Sequence, residues 1–264
     1  MLNLKLDFTL EKYRQLCTAL LTSGYNACTV AQYLSSRNLA GKTVVLRHDV
    51  DRKPGNALRM AILENSLGIT STYYFRMNKS VFKHDIVKAV AEMGHEVGYH
   101  YEALDKAKGN YEKAIRIFEQ ELAELRKVVE VKTICMHGNP LTKWDNRDLW
   151  SKYDFKNFGL VGEAYLSISD ILYVSDTGRT WNPKRKVKDW LPSESSSNPN
   201  KAIANTIDGT DDLIRLIREE RPETIYMVAH PERWADNLIQ WMIYLAFDMV
   251  IALGKSMLSY TKNS

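Results

Sequence analysis

The sequence predicts an α/β protein built from parallel βαβ units, and three observations carry that expectation. Short β-branched runs alternate with helical stretches from Thr43 onward. Predicted helices close on glycines such as Gly24, Gly68 and Gly94, where a chain commonly leaves a helix through a left-handed residue. The predicted strands also share a habit. Their apolar runs break off onto residues able to do chemistry: Asp49 with Asp51, His100, His137, His230 and, in a weaker strand, Asp176.

Taken in order, Phe8 to Tyr25 carries apolar residues at helical spacing. "TVVLRHDVD" (Thr43 to Asp51) reads as a buried strand entering a loop, and "PGNALRMAILENSLG" as a helix with Pro54 near its start. "ITSTYYFRM", "HEVGYH", "VKTICMH", "ILYVSD" and "TIYMVAH" are the next strands. "DIVKAVAEMG", the segment Asn110 to Val129 and "TDDLIRLIREERP" are helices, with Asn110 as an N-cap. "LPSESSSNPN" (Leu191 to Asn200) is a polar loop. In a parallel arrangement all strand carboxyl ends lie on one rim, so residues far apart in sequence converge there.

Composition bounds the partners. With 264 residues, 45% hydrophobic and 26% charged, the chain suits one large folded domain, expected to span 1–264 with 235–264 as a C-terminal helix packed on it. A net charge of +4 spread along the chain argues against a nucleic-acid partner. The densest basic run, Pro183 to Lys188, is expected to be a solvated loop. Three cysteines without CxxC spacing, and no early apolar segment of signal-peptide length, point to reduced thiols and a cytoplasmic location. "LIQWMIYLAFDMVIAL" (Leu238 to Leu253) falls short of the roughly 20 apolar residues of a membrane span. Peripheral contact with a membrane stays open.

Several chemistries lack their motifs. No glycine stands where a phosphate loop around "GKT" would need it, no glycine-rich turn follows the first strand, and no Gly-x-Ser-x-Gly elbow occurs. Asp49 and Asp51, at i and i+2, project to one side of an extended chain. Two such carboxylates repel unless a cation or proton lies between them. One would then bind a divalent metal while the other accepts a proton from water; the plainer alternative is a capping Asp followed by a loop Asp.

The ordered stretches "RHDVD", "GHEVGYH", "HGNPLTKWDNRDLW", "SDTGRTW" and "AHPERW" resemble the NodB-homology polysaccharide deacetylases, carbohydrate esterase family 4, and within them the WbmS-like bacterial branch connected with surface polysaccharides. The resemblance implies a distorted (β/α)7 barrel and a divalent metal, most often zinc, used to remove the acyl group from an N-acylated sugar. By position, Asp49 resembles the family's base, Asp51 and His100 its metal ligands, and His230 its general acid.

The chain also departs from the pattern. The second histidine of the family's metal pair is replaced by Leu104, which cannot ligate, and the arginine-bearing third motif by "MHGNP". The metal site then takes Glu102 or His137 as its third ligand, either being acceptable to zinc, or it has been lost. Arg47 or Arg179 would orient Asp49 in place of the missing arginine. His95 is expected on the surface or behind the site, and Trp144, Trp181 and Trp234 in packing. The expected protein is a metal-dependent carbohydrate N-deacetylase-like hydrolase. The rival is an inactive barrel that binds a glycan or a protein.

Overall fold

The computed structural model describes residues 6–36, 41–139, 141–183, 189, 191, 199–219 and 222–246. Most of the basic run at 183–188, most of the Ser-rich loop at 191–200 and everything after 246 lie outside the described residues. Eight strands form one sheet: β1 (Asn26–Cys28), β2 (Thr43–Val50), β3 (Thr72–Arg76), β4 (Glu96–Tyr101), β5 (Thr133–Met136), β6 (Gly162–Glu163), β7 (Leu172–Ser175) and β8 (Thr224–Ala229). Seven follow the order β6-β5-β4-β3-β2-β8-β7, and every pairing is parallel. The remaining strand, β1, pairs with the first half of β2, Thr43–Val45, while β3 takes the second half, Arg47–Val50.

The helices are α1 (Leu10–Thr22), α2 (Val30–Ser35), α3 (Pro54–Ser66), α4 (His84–Glu92), α5 (Ala103–Lys106), α6 (Tyr111–Arg126), α7 (Pro199–Ala204) and α8 (Thr210–Arg218). Thr9 and Asn110 cap α1 and α6, each accepting from a backbone N–H of the first turn. The β1–α2 pair and the two-residue β6 were not legible, being too short to show a period. The irregular middle resolves into 3-10 turns at Asn146–Ser151 and Phe155–Phe158.

The architecture is a distorted (β/α)7 barrel, open between β6 and β7. Side chains draw that seam together. Asp189 accepts from the Tyr165 hydroxyl, just after β6, at 3.0 Å and also from Tyr173 and Ser175 on β7. Tyr226 of β8 donates to the Ala164 carbonyl at 3.1 Å. Strand alternation divides the core. Val45, Tyr74, Tyr226 and Val228 belong to one cluster, whereas Val44, Leu46, Ile225 and Met227 pack with residues of α1 and α8 in another.

Gly98 lets the barrel interior close. A Cβ there would lie 2.2 Å from Tyr74 Cε1 and 2.9 Å from the Thr133 carbonyl oxygen. The Tyr74 ring crosses the bare glycine to reach the Thr133 hydroxyl at 2.6 Å.

On the outer side of the sheet, fully buried Glu64 meets His48 at 2.7 Å, the Ser71 hydroxyl at 2.6 Å, the Tyr73 hydroxyl at 2.8 Å and the Tyr13 hydroxyl. His95 is buried against this cluster, its Nε2 3.1 Å from the Ala61 carbonyl, instead of lying at the surface. Burial opposes the charge of Glu64, but His48, His95 and Ser71 outweigh it and bring the carboxyl down to about 2.

After β8 the chain makes a 3-10 turn, Pro231–Arg233, and then a helix at 238–246. Trp241 donates to the Asp7 carbonyl at 2.6 Å, and the Lys53 ammonium stands 3.1 Å from the Tyr244 ring centre. Leu238, Ile239, Met242 and Ile243 face outward and are 46–67% exposed. Among the described residues no helix is long and apolar enough to cross a membrane.

Two outcomes are expected. Gly98→Ala overpacks the interior and lowers unfolding stability by about 1–3 kcal/mol, read from urea denaturation. Unfolded, Glu64 titrates near 4.5; folded, it does so at about 2. Between those values the unfolded chain takes up a proton that the folded chain refuses. Stability is therefore full above pH 4.5 and falls as the pH drops toward 2, by about 3 kcal/mol from this group. In Glu64→Gln, denaturation midpoints should fall less steeply with acid.

Candidate functional site

The period of two along each strand sets the site. On β2 and its exit, Arg47, Asp49 and Asp51 share a face; on β4, so do Gly98, His100 and Glu102; on β5, Thr133, Cys135 and His137. Strand β3 adds Tyr74 and Arg76, registered against Asp49 and His100 respectively, and His100 pairs with Cys135 of β5. The polar residues therefore climb the barrel in layers and open at the carboxyl-terminal rim.

Asp49 lies inside. Arg47 grips it through Nε at 2.7 Å and Nη2 at 2.6 Å, with both side chains buried. Burial works against the Asp49 charge, but Arg47 and His100 outweigh it and hold the carboxyl below its ordinary value. Arg179 packs over the Phe8 and Trp241 rings, at 5.5 and 5.6 Å, so Arg47 alone of the two expected arginines orients Asp49.

One layer up, Asp51 Oδ1 lies 3.2 Å from His100 Nε2 and 3.6 Å from His137 Nε2. That oxygen is buried, with no hydrogen-bond partner among the described residues. Burial disfavours its charge, yet His137 and His100 in their protonated form outweigh this and hold the carboxyl well below its usual range. His100 Nδ1 meets the Cys135 carbonyl at 3.0 Å, an acceptor that keeps a ring proton there, so in the neutral ring it is the Nε2 lone pair that faces Asp51. His137 Nδ1 lies 3.2 Å from Glu102 Oε2, at ion-pair distance but off the line of a hydrogen bond.

A bare carboxylate oxygen facing two ring nitrogens suits a cation. Four-coordinate zinc, with bonds of about 2.0–2.1 Å, spaces its ligand atoms by roughly 3.4 Å. Asp51 Oδ1 stands near that spacing from His100 Nε2 and from His137 Nε2 in turn, with the Cys135 carbonyl behind His100 and the Glu102 carboxylate beside His137. Among the described residues, the set whose donor atoms all lie within 4.8 Å of one another is a second one, Asp49, His100 and Cys135. That second set is the poorer one, because both Asp49 oxygens are held by Arg47 and burial pushes the Cys135 thiol well up, away from the ligating thiolate.

The two candidates for the third ligand separate by what they touch. Glu102 pairs with Arg76 at 2.6 Å and Lys106 at 3.2 Å, besides standing behind His137. Burial is outweighed by His137, Arg76 and Lys106, which bring its carboxyl down to about 2. Leu104, on α5, is buried in the apolar core with its backbone N–H on Asn146 Oδ1.

His230 stands across the rim. Its backbone N–H and its Nδ1 bind the two oxygens of Asp176, at 2.9 and 2.6 Å. Arg233 at 3.0 Å and the Trp234 indole N–H at 2.8 Å complete the shell of Asp176. Burial and Arg233 oppose a charge on His230, but Asp176 prevails and leaves the imidazole up at about 8. Trp181 and Trp234 are buried, and Trp144 is partly buried against the core, so all three serve packing.

Asp176 was visible only as a weak strand end, and the pairing with His230 was not legible. Arg76 and Glu232 were passed over. Arg76 could have been found, since it ends β3 on the same parity as the other rim residues. Asp176→Asn removes the larger of the two groups that raise His230 and leaves Asp51 alone against burial and Arg233, so the imidazole should titrate below the parent's value of about 8 in an NMR pH series.

No family model and no curated protein matches the chain. Solved structures of similar shape are carbohydrate esterase family 4 polysaccharide deacetylases. The catalytic domain of a peptidoglycan N-acetylglucosamine deacetylase from Eubacterium rectale is 15% identical, with 83% of this chain and 86% of that one covered at a TM-score of 0.44. The Xyl-CE4 domain of a multidomain xylanase from the hindgut metagenome of Trinervitermes trinervoides is 16% identical, with 82% and 84% covered at 0.39. A CE4 family pseudoenzyme from Bacillus anthracis is 14% identical, with 73% and 70% covered at 0.35. At these identities and scores the likeness is one of shape and goes no further.

Proposed function

We propose that the protein is a metal-dependent hydrolase of the polysaccharide deacetylase type that removes the acyl group from an N-acylated sugar. The observation that carries the reading is Asp51 Oδ1, buried, without a hydrogen-bond partner among the described residues and facing the Nε2 atoms of His100 and His137. Asp51, His100 and His137 are the proposed ligands, with Glu102 behind His137. A divalent ion held there, zinc by its preference for such donors, would polarise the acyl carbonyl and acidify a bound water. Asp49, kept ionised by Arg47, accepts the proton of the attacking water. His230, charged near neutrality through Asp176, delivers a proton to the departing amine.

The rival reading, an inactive barrel that binds a glycan or a protein, drew on Leu104. His137 offers, from another strand end, the imidazole that Leu104 withholds, and this supports the hydrolase. Within the proposal, membership of the surface-polysaccharide branch rests on the ordered motifs. A reducing cytoplasmic setting is supported by three buried free cysteines. The outward face of Leu238, Ile239, Met242 and Ile243 supports peripheral contact with an apolar surface.

The test is metal analysis joined to acetate release from N-acetylated oligosaccharides. Wild type should bind about one equivalent of zinc or cobalt, and Asp51→Ala, His100→Ala and His137→Ala should each abolish stoichiometric binding. Glu102→Gln should retain the ion with affinity lowered about 10–100-fold, as for a residue behind a ligand. Absence of metal in wild type under all loading conditions overturns the reading.

A further inference from the structure

Glu232 lies two residues past the proposed acid and takes no part in the mechanism above. The four donors on Asp176 fix the backbone from His230 to Trp234. Asn56 ties the same turn to α3 through the Pro231 carbonyl at 3.1 Å. The turn is thereby held rigid, and its Glu232 side chain is driven inward, with the residue only 4% exposed. One oxygen, Oε1, sees Arg52 at a long 3.4 Å; the other, Oε2, is buried and has no hydrogen-bond partner among the described residues. Burial and Asp51 push its carboxyl up to about 7, against the opposing pull of His230, Arg233 and Arg52.

A buried carboxylate oxygen left bare is costly, so such atoms in a rigid site mark the place of an absent donor. The neighbours narrow which donor. Asp51 belongs to the set that would hold the cation polarising the acyl oxygen, and His230 is the group that protonates nitrogen. An acceptor that feels both groups suits the atom that would lie between them, the N–H of the scissile amide. We propose that Glu232 Oε2 accepts this N–H, making it a positioning and specificity residue that favours N-acyl over O-acyl groups. Resting on the hydrolase reading, this deepens it: the hydrogen bond exists only with an amide substrate and turns the nitrogen lone pair toward His230. An ester offers no such donor and would leave Oε2 bare.

The experiment compares zinc-loaded wild type, Glu232→Ala and Glu232→Gln on an amide probe, tri-N-acetylchitotriose, and an ester probe, 4-nitrophenyl acetate. Metal content and thermal midpoint are measured alongside. For Glu232→Ala, kcat/KM on the amide should fall at least tenfold while the ester rate stays within about threefold. Glu232→Gln, whose amide oxygen can still accept, should recover most of the amide rate. Parallel loss on both probes, or no loss on the amide, overturns the inference and leaves the hydrolase standing. Loss of zinc from Glu232→Ala also overturns it, by making Glu232 a ligand. A zinc-loaded wild type that releases acetate from neither probe removes the hydrolase reading, and this inference with it.

Discussion

The fork between Arg47 and Asp49 is the interaction on which the rest of the site depends. Both groups stand on β2, which pairs with β1, β3 and β8, and both are withdrawn from water. Such a pair survives only if its remaining valences are met, and removing one partner of a buried pair costs about 3–5 kcal/mol. The barrel supplies what the pair needs: the Tyr226 hydroxyl 3.2 Å from the guanidinium and the Tyr165 ring 4.2 Å beneath it. Those two tyrosines come from either side of the seam, one just after β6 and the other on β8, the neighbour of β7. The charge inside the barrel and the drawing together of its seam are thus one problem with one solution.

Along the barrel axis the polarity of the interior rises in steps. Tyr74 and Gly98 stand level with Asp49 of the ion pair, Asp51 follows between two imidazoles, and the Asp176–His230 pair stands at the rim. Each layer holds the next in a fixed protonation state: Arg47 keeps Asp49 charged, the Cys135 carbonyl sets the His100 tautomer, and Asp176 keeps His230 protonated. Preorganisation of this sort lets a site receive developing charge without rearranging.

Much of this was legible before any coordinates. Alternation of strand and helix, and strands stopping on Asp49, His100, His137 and His230, already required one polar rim. Other features were hidden for identifiable reasons. Strand β6 has two residues and no readable period. His95 precedes a strand in sequence, yet packs on Glu64 through tertiary contacts that no local pattern encodes. The choice between Arg47 and Arg179 depended on where the segment after β7 goes, and it goes over Phe8 and Trp241. The departure at position 104 was the hardest to weigh, since a missing ligand in one motif is filled, if at all, from another strand.

What the sequence by itself determined is parity. The two-residue repeat of an extended chain commits Arg47, Asp49 and Asp51 to one face, Gly98, His100 and Glu102 to another shared face, and Cys135 with His137 to a third. What only the tertiary structure decided is which of these faces meet and which atoms point at each other. Glu102 and His137 are equal in sequence, both rim residues of ligating type. Strand pairing brings Arg76 onto Glu102, the turn of α5 adds Lys106 four residues on, and His137 Nε2 is left turned to Asp51, because an ionised carboxylate takes the nearest cations and an imidazole has a second nitrogen to spare.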